Sequence, residues 1–168
     1  MFIKLILVKL ATIVATITIV SSCTDNIEVQ ENGQDDAVQL TVYKKTGCKC
    51  CNKWLRHMGD NGFATTSHNQ SNLSDIKEKL GIPAKLRSCH TSVTEDGFVF
   101  EGHIPAKFIQ QFLDETPEGA IGLSVPAMPT GTPGMEFGDM LQPYKVYLLK
   151  ADGSTEIYAQ VNSAEEQI

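Results

Sequence analysis

Three cysteines lie within four consecutive positions of this chain, at Cys48, Cys50 and Cys51. They follow a strand-like run, 40–43, and they open a run in which apolar residues recur at helical spacing. Thiolates this close together suit a soft metal ion or a redox reaction better than a packed core. A second pair, Cys89-His90, offers a further sulfur and an imidazole. The sequence therefore predicts a small thiol-rich site where the first helix begins.

Cysteine spacing also bears on disulfide bonding. In an oxidising compartment, four cysteines ordinarily indicate two structural disulfides. Cys50 and Cys51 are adjacent, and consecutive Cα atoms about 3.8 Å apart are closer than disulfide geometry usually allows. The C-x-x-C spacing of Cys48 and Cys51 is instead typical of a redox or metal site. Two structural disulfides are therefore the less favoured interpretation.

The N-terminal segment predicts export. Lys4 and Lys9 precede an uncharged apolar stretch, 10–20, which is short for a membrane span and has the proportions of a signal-peptide core. It ends in Ser21-Ser22-Cys23, which is similar to a bacterial lipoprotein signal with a lipidated cysteine. An ordinary secretory signal with a chance cysteine is the alternative. We expect a signal peptide at 1–22, lipidation at Cys23 and, since Thr24 rather than an Asp directly follows that cysteine, an outer-membrane anchor on the periplasmic side.

The charge balance excludes one class of partner. The chain has 14 basic and 20 acidic residues. Removal of 1–22 takes away two lysines and no acid, which leaves 12 basic and 20 acidic residues, a net charge of −8. A domain this acidic is a poor candidate for binding nucleic acid. We expect membrane contact only through the lipid.

The rest of the chain predicts one α/β domain. Residues 23–37 are polar and acidic and indicate a flexible tether, 38–161 form the domain, and 162–168 are a polar tail. The runs that indicate secondary structure are strand 40–43, helix 51–58, strand 63–67, helix 73–80, strands 91–94 and 98–101, and helix 105–113. This β-α-β-α-β-β-α order is the thioredoxin-like arrangement. A Gly/Pro-rich loop at 119–136 and a C-terminal β-hairpin, 144–149 with 155–158, complete the prediction.

A thioredoxin-like arrangement brings the two thiol clusters together. In such folds the loop before the third strand, here 86–91, lies against the start of the first helix. We therefore expect Cys89 and His90 beside the cysteine triad. Thiolates select Cu(I), zinc and iron–sulfur clusters, and imidazole also binds Cu(II). His103 is a candidate outer ligand. The loop thioethers Met128 and Met135 either bind metal or fill the core. Two further histidines, His57 and His68, are expected to face solvent.

Several motifs in sequence order carry a family resemblance. They are Cys48-Lys49-Cys50-Cys51 with Trp54, Ser88-Cys89-His90-Thr91, Glu101-Gly102-His103-Ile104-Pro105, and Val125-Pro126-Ala127-Met128-Pro129 through Gly134-Met135-Glu136. The chain resembles the CopG-type periplasmic metal-binding family, long catalogued as a domain of unknown function. The resemblance implies a thioredoxin-like fold, copper resistance outside the cytoplasm and a polynuclear copper cluster that interconverts Cu(I) and Cu(II). Its implied ligands are Cys48, Cys50, Cys51, Cys89 and His90, with Met128, Met135 and His103 in matching motifs.

Three functions remain open from the sequence. The first is copper binding, with copper ions and other periplasmic copper-handling proteins as partners, and with binding favoured over repeated enzyme turnover. The second is a thiol–disulfide oxidoreductase that uses Cys48 and Cys51. The third is a zinc or iron–sulfur module, although four-sulfur zinc sites usually draw on two spaced cysteine pairs and this chain has one.

Overall fold

The computed structural model describes residues 37–168. The predicted signal peptide, the lipidation site Cys23 and all of the tether except residue 37 lie outside the described residues. Among residues 37–168, no helix combines the length and the apolar composition needed to cross a membrane.

Ten helices and strands follow one another in the part of the chain that the structure describes. They are β1 (Gln39–Lys45), α1 (Lys49–Asp60), β2 (Ala64–Gln70), α2 (Ser74–Lys79), β3 (His90–Thr94), β4 (Val99–Glu101), α3 (Ala106–Asp114), β5 (Ala120–Ser124), β6 (Tyr144–Lys150) and β7 (Thr155–Val161). Short 3-10 helices span Ala84–Leu86 and Ala164–Gln167. The predicted order is observed as far as α3, and the predicted C-terminal hairpin is present as β6 and β7.

The strands form one mixed sheet in the order β2-β1-β3-β4-β5-β6-β7. The β1–β2 and β4–β5 pairs are parallel, and the other pairs are antiparallel. With seven strands in residues 37–168, the sheet is larger than a thioredoxin-like fold implies, because β5, β6 and β7 continue it beyond β4. The protein is therefore a mixed α/β protein built on an extended sheet.

Strand β5 corrects the prediction of a continuous loop over 119–136. Ala120–Ser124 pairs in parallel with β4, so the loop begins only at Val125. Gly122 has a φ of 152°, and a Cβ there would lie 1.7 Å from the Val99 carbonyl oxygen. The glycine that indicated a turn instead allows two strands to approach closely, which is a known use of glycine inside a strand.

Helices cover both faces of the sheet. Trp54 and Met58 from α1 and Ile109 and Phe112 from α3 pack with Phe100 of β4 in one buried cluster. The segment after α2 packs on the opposite face, since its Ile82 and Leu86 contact Val99 and Leu149 in a second cluster. Helix α1 starts where β1 ends, and β3 starts beside that point because the two strands are antiparallel. The fold thus brings the start of α1 close to the start of β3.

Candidate metal centre

The cysteine triad forms the first turn of α1. Cys48 is the N-cap residue, and the Cys51 backbone N–H donates to its Sγ over 3.4 Å. The sulfurs of Cys48 and Cys51 are joined in a disulfide whose Cα atoms are 5.4 Å apart. Cys50 has a free thiol, and its Sγ lies 3.4 Å from that of Cys48. This is the one disulfide among the described residues, so the arrangement of two structural disulfides is not observed there.

Cys89 completes a group of four sulfurs. It directly precedes β3, whose first residue, His90, pairs with Lys44 near the end of β1. The Cys89 Sγ lies 3.5 Å from the Cys51 Sγ. All four sulfurs, of Cys48, Cys50, Cys51 and Cys89, lie within 4.8 Å of one another. The predicted meeting of the two distant cysteine clusters is therefore confirmed.

Two buried histidines contact the same Cys89 sulfur. Its Sγ is 3.2 Å from His90 Nδ1 and 3.0 Å from His103 Nε2, and these three residues form a second group of closely spaced ligand atoms. The His90 ring lies against the Trp54 indole, with the ring centroids 4.4 Å apart. Cys89 thus belongs to both the sulfur group and the imidazole group.

The Gly/Pro-rich loop sets the orientation of His103. Its Nδ1 is 2.7 Å from the Pro133 carbonyl oxygen, which can only accept, so Nδ1 carries the proton and Nε2 presents a lone pair toward Cys89. Gly134 makes this approach possible, because a Cβ there would lie 2.6 Å from the Cys50 carbonyl oxygen and 3.2 Å from His103 Nδ1. The loop therefore positions the lone pair of a candidate ligand through its backbone.

Burial sets the protonation states of the site. Desolvation lowers the pKa of His90 well below its usual value, and it also lowers the pKa of His103. Both imidazoles are therefore neutral at neutral pH and have a lone pair available to a metal ion. Desolvation and the neighbouring Cys50 raise the pKa of Cys89 to about 12. Its thiol would have to lose a proton to serve as a metal ligand.

The same lowered pKa values predict an acid-sensitive fold in the metal-free protein. An unfolded histidine has a pKa of about 6.5, so below this pH the unfolded chain binds more protons than the folded one. Stability is then fully present above about pH 6.5 and falls as the pH decreases. His90 and His103 together contribute at most about 2.7 kcal/mol per pH unit to the slope, and His57, whose pKa burial also lowers, adds to it. Urea denaturation followed by circular dichroism between pH 7.5 and pH 5 measures it.

A histidine variant controls this measurement. His103→Gln removes one titrating group and is expected to lower the slope by up to about 1.4 kcal/mol per pH unit. A free energy of unfolding that stays constant over this pH range contradicts the assignment of two neutral buried imidazoles.

The two candidate thioethers occupy different positions. Met128 is 49% exposed and lines the same cavity as Cys48 and Cys89, so it does not fill the core. Met135 is half-buried and lies next to Gly134 in the segment that contacts α1, where its backbone N–H donates to the Thr132 carbonyl over 2.8 Å. The structure thus places Met128 in the wall of the cavity that Cys48 and Cys89 also line, and Met135 within the loop that orients His103.

A buried ion pair behind the site was not foreseen from the sequence. Lys77 of α2 is 4% exposed, and its Nζ contacts the Glu101 carboxylate of β4. The same ammonium donates to the Ser88 carbonyl over 3.1 Å and to Thr91 Oγ1 over 3.0 Å. Glu101 also accepts from the Ser88 N–H and from Thr91 Oγ1. The pair therefore holds both ends of the segment that carries Cys89 and His90.

His57 also departs from its predicted position. It was expected to face solvent, but it is half-buried, and the Ala106 N–H at the start of α3 donates to its Nε2 over 3.0 Å. Trp54, one turn earlier on α1, donates from Nε1 to the Ile104 carbonyl over 2.8 Å. These two bonds attach α1 to the segment that carries His103. The available signal was the position of His57 beside the apolar face of α1.

The donor set fits a soft metal ion. Four sulfurs and two imidazoles are ligands that copper and zinc accept, and no carboxylate belongs to either closely spaced group in residues 37–168. His90 Nε2 is buried and has no hydrogen-bond partner among the described residues. Such a nitrogen ordinarily has a partner, and coordination by its ring would account for a histidine kept neutral in the core.

Comparisons with known proteins agree with this chemistry. Residues 86–135 match a family described as a protein of unknown function, DUF411. Two solved structures of a copper resistance protein CopG, Form 1 and Form 2, are each 35% identical to this chain. Each match covers 76% of this chain and 100% of the other, with TM-scores of 0.71 and 0.72. No curated protein matches the chain.

The fold and the site define an α/β protein with a thiol- and imidazole-rich group able to bind metal. At this identity and coverage, the chain belongs to the CopG copper-resistance family.

Proposed function

We propose that this protein is an exported copper-binding protein of copper resistance. The observation that carries the proposal is the group of four sulfurs within 4.8 Å, which shares Cys89 with His90 and His103. The ligands are Cys48, Cys50, Cys51, Cys89 and His90, with Met128, Met135 and His103 as outer members of the same set. The similarity to a protein whose name contains copper resistance supports copper as the cargo.

We further propose a polynuclear cluster on a thioredoxin-like framework. Four sulfurs on two adjoining segments outnumber what one Cu(I) ion requires, and thiolate sulfur readily bridges metal ions. The strand order β2-β1-β3-β4 with helices on both faces supports the thioredoxin-like assignment. The sequence of residues 1–23 supports export and lipidation at Cys23, and hence an outer-membrane anchor on the periplasmic side.

The disulfide adds a redox reaction to this site. When the Cys48 and Cys51 thiols close to a disulfide, they release two protons and two electrons, and two Cu(II) ions each accept one electron to become Cu(I). The reverse reaction opens the disulfide and oxidises two Cu(I) ions. This two-electron couple, next to the thiols of Cys50 and Cys89, supports the proposed interconversion of copper oxidation states.

An anaerobic Cu(I) titration of the reduced full chain, against a chromophoric Cu(I) chelator, tests the proposal. We expect more than one Cu(I) per chain and a lower stoichiometry for Cys50→Ser, because Cys50 supplies one of the four sulfurs. His68→Gln, an exposed histidine outside the site, should bind as the unmodified chain does. X-ray absorption should show sulfur ligands and a copper–copper distance.

Three outcomes contradict copper binding. Less than one equivalent of Cu(I), or full binding by Cys50→Ser, removes the basis for the proposed site. Protein from copper-fed cells that contains zinc or a coloured iron–sulfur centre in place of copper does the same.

The Cys48–Cys51 bond favours a second candidate function, a thiol–disulfide oxidoreductase. Cys48 is half-buried and accessible, whereas Cys51 is 0% exposed, so one sulfur can exchange with a substrate while the other resolves the intermediate. Turnover of a disulfide substrate that persists in the Cys50→Ser and Cys89→Ser variants favours this function over copper binding.

A further inference from the structure

A cavity of about 580 Å³ opens beside the disulfide, between the turn that leads into α1 and the start of α2. Small-molecule sites typically have about 300–1,000 Å³. The lining residues that matter chemically are Lys45, Cys48, Asn72, Arg87, Cys89 and Met128. The cavity is therefore large enough for a small molecule and leads directly to a bonded sulfur.

Basic side chains line this cavity. Lys45, Lys77 and Arg87 belong to its wall, and no Asp or Glu does so among the described residues, although the whole chain has a net charge of −6. Lys77 is already paired with Glu101, which leaves two cations available to a ligand. Arg87 is anchored because its Nε donates to the Ile82 carbonyl over 3.0 Å. Within residues 37–168, its terminal nitrogens have no hydrogen-bond partner, so they can receive a carboxylate.

The disulfide presents one sulfur to the cavity. Cys48 is half-buried and belongs to the lining, whereas Cys51 is fully buried and does not. A nucleophile in the cavity therefore reaches the Cys48 Sγ, and the bond breaks toward Cys51. The Cys51 N–H donates to the Cys48 sulfur. It therefore stabilises the Cys48 thiolate that forms when a second thiol displaces Cys48 from a mixed disulfide.

We propose that this cavity binds a small thiol bearing carboxylate groups, and that the bound thiol reduces the Cys48–Cys51 disulfide. Reduction of the disulfide frees two of the four sulfurs for metal, and this consequence alone rests on the proposed copper function. The carboxylates contact Arg87 and Lys45, and the thiol sulfur approaches Cys48.

The exchange proceeds in two balanced steps. A first ligand thiolate forms a bond to the Cys48 Sγ, and the Cys48–Cys51 bond breaks so that its electron pair leaves on Cys51. A second ligand thiolate attacks the ligand sulfur of this mixed disulfide, and Cys48 leaves as a thiolate. Two ligand thiols are thereby oxidised to one ligand disulfide, the protein disulfide is reduced to two thiols, and the two ligand protons end on Cys48 and Cys51.

The test compares reduction rates of the oxidised full chain by two probe thiols, mercaptosuccinate as the anionic probe and 2-mercaptoethanol as the neutral one. Alkylation and mass spectrometry follow the free thiols. For each probe, we divide the reduction rate of the unmodified chain by that of Arg87→Gln, so that the intrinsic nucleophilicity of the probe cancels. We expect this ratio to be about five for mercaptosuccinate and close to one for 2-mercaptoethanol.

Two further variants keep the test decisive. Lys53→Gln removes an exposed lysine that pairs with Glu136 outside the cavity, and its rates with both probes should match those of the unmodified chain. Lys45→Gln replaces an exposed cavity lysine and serves if Arg87→Gln does not fold; it should slow mercaptosuccinate selectively. Equal ratios for the two probes overturn the proposal.

Failure of the thiol-site proposal can be distinguished from failure of the copper-binding proposal. A chain reduced beforehand with a phosphine, and then freed of it, enters the Cu(I) titration without passing through the cavity. Copper binding by this chain together with equal probe ratios overturns the thiol site alone. Selective reduction by mercaptosuccinate without copper binding upholds the thiol site and contradicts the copper function.

Discussion

The Cys89→Ser variant is expected to bind Cu(I) more than about 100-fold more weakly than the unmodified chain. Loss of a residue that only hydrogen-bonds to a metal ligand typically costs roughly 10–100-fold in affinity. Cys89 belongs to both groups of ligand atoms, since its Sγ lies 3.5 Å from Cys51 Sγ and 3.0 Å from His103 Nε2. A hydroxyl of similar size fits the position but is a poor ligand for Cu(I). Competition with a Cu(I) chelator measures the change in affinity.

Two comparisons define this result. His103→Gln keeps all four sulfurs and should lower the affinity less than Cys89→Ser does. Circular dichroism should show that both variants fold, because the serine keeps the shape of the cysteine. If Cys89→Ser binds Cu(I) as tightly as the unmodified chain, the four-sulfur site is wrong even though the sulfurs are close together.

Lys77→Met is expected to lower the free energy of unfolding by about 3–5 kcal/mol. Glu101 is 0% exposed, so removal of the lysine leaves a buried carboxylate without its opposite charge. The methionine retains most of the apolar stem, which confines the change to the ammonium group. Urea denaturation followed by circular dichroism measures the loss.

A matched lysine on the same helix serves as the control. Lys79→Met changes an exposed side chain two positions further along α2 and should alter stability by no more than about 0.5 kcal/mol. The double variant Lys77→Met with Glu101→Leu removes both charges and should recover part of the stability. A loss below about 1 kcal/mol for Lys77→Met contradicts the stabilising role assigned to this ion pair.

The juxtaposition at the centre of the site could be predicted because it depends on local signals and simple topology. A strand followed directly by the cysteine triad places those thiols at a helix start. Antiparallel pairing of β1 and β3 then brings Cys89 to the same end of the sheet. Neither step requires knowledge of side-chain packing.

Other features could not be predicted, because tertiary contacts determine them. The Gly/Pro-rich composition of 119–136 indicated a loop, yet the space around Gly122 is filled by the β4 backbone, so the segment starts as a strand. The helical pattern of α2 marked its apolar residues as the buried ones, but Lys77 is buried because a glutamate from β4 faces it. By contrast, the C-x-x-C spacing did indicate Cys48 and Cys51 as the redox pair, and these are the two cysteines that the structure joins in a disulfide.

The segment 125–143 begins at the end of β5 and ends at the start of β6, and these two strands are antiparallel neighbours. The sheet therefore fixes both ends of the segment, while Gly134 in its middle packs on α1 beside the Cys50 carbonyl oxygen. Met128, Met135 and the carbonyl that orients His103 all belong to this one segment. Substitutions that keep Gly134 could therefore alter the surroundings of His103 while the thiol framework stays unchanged.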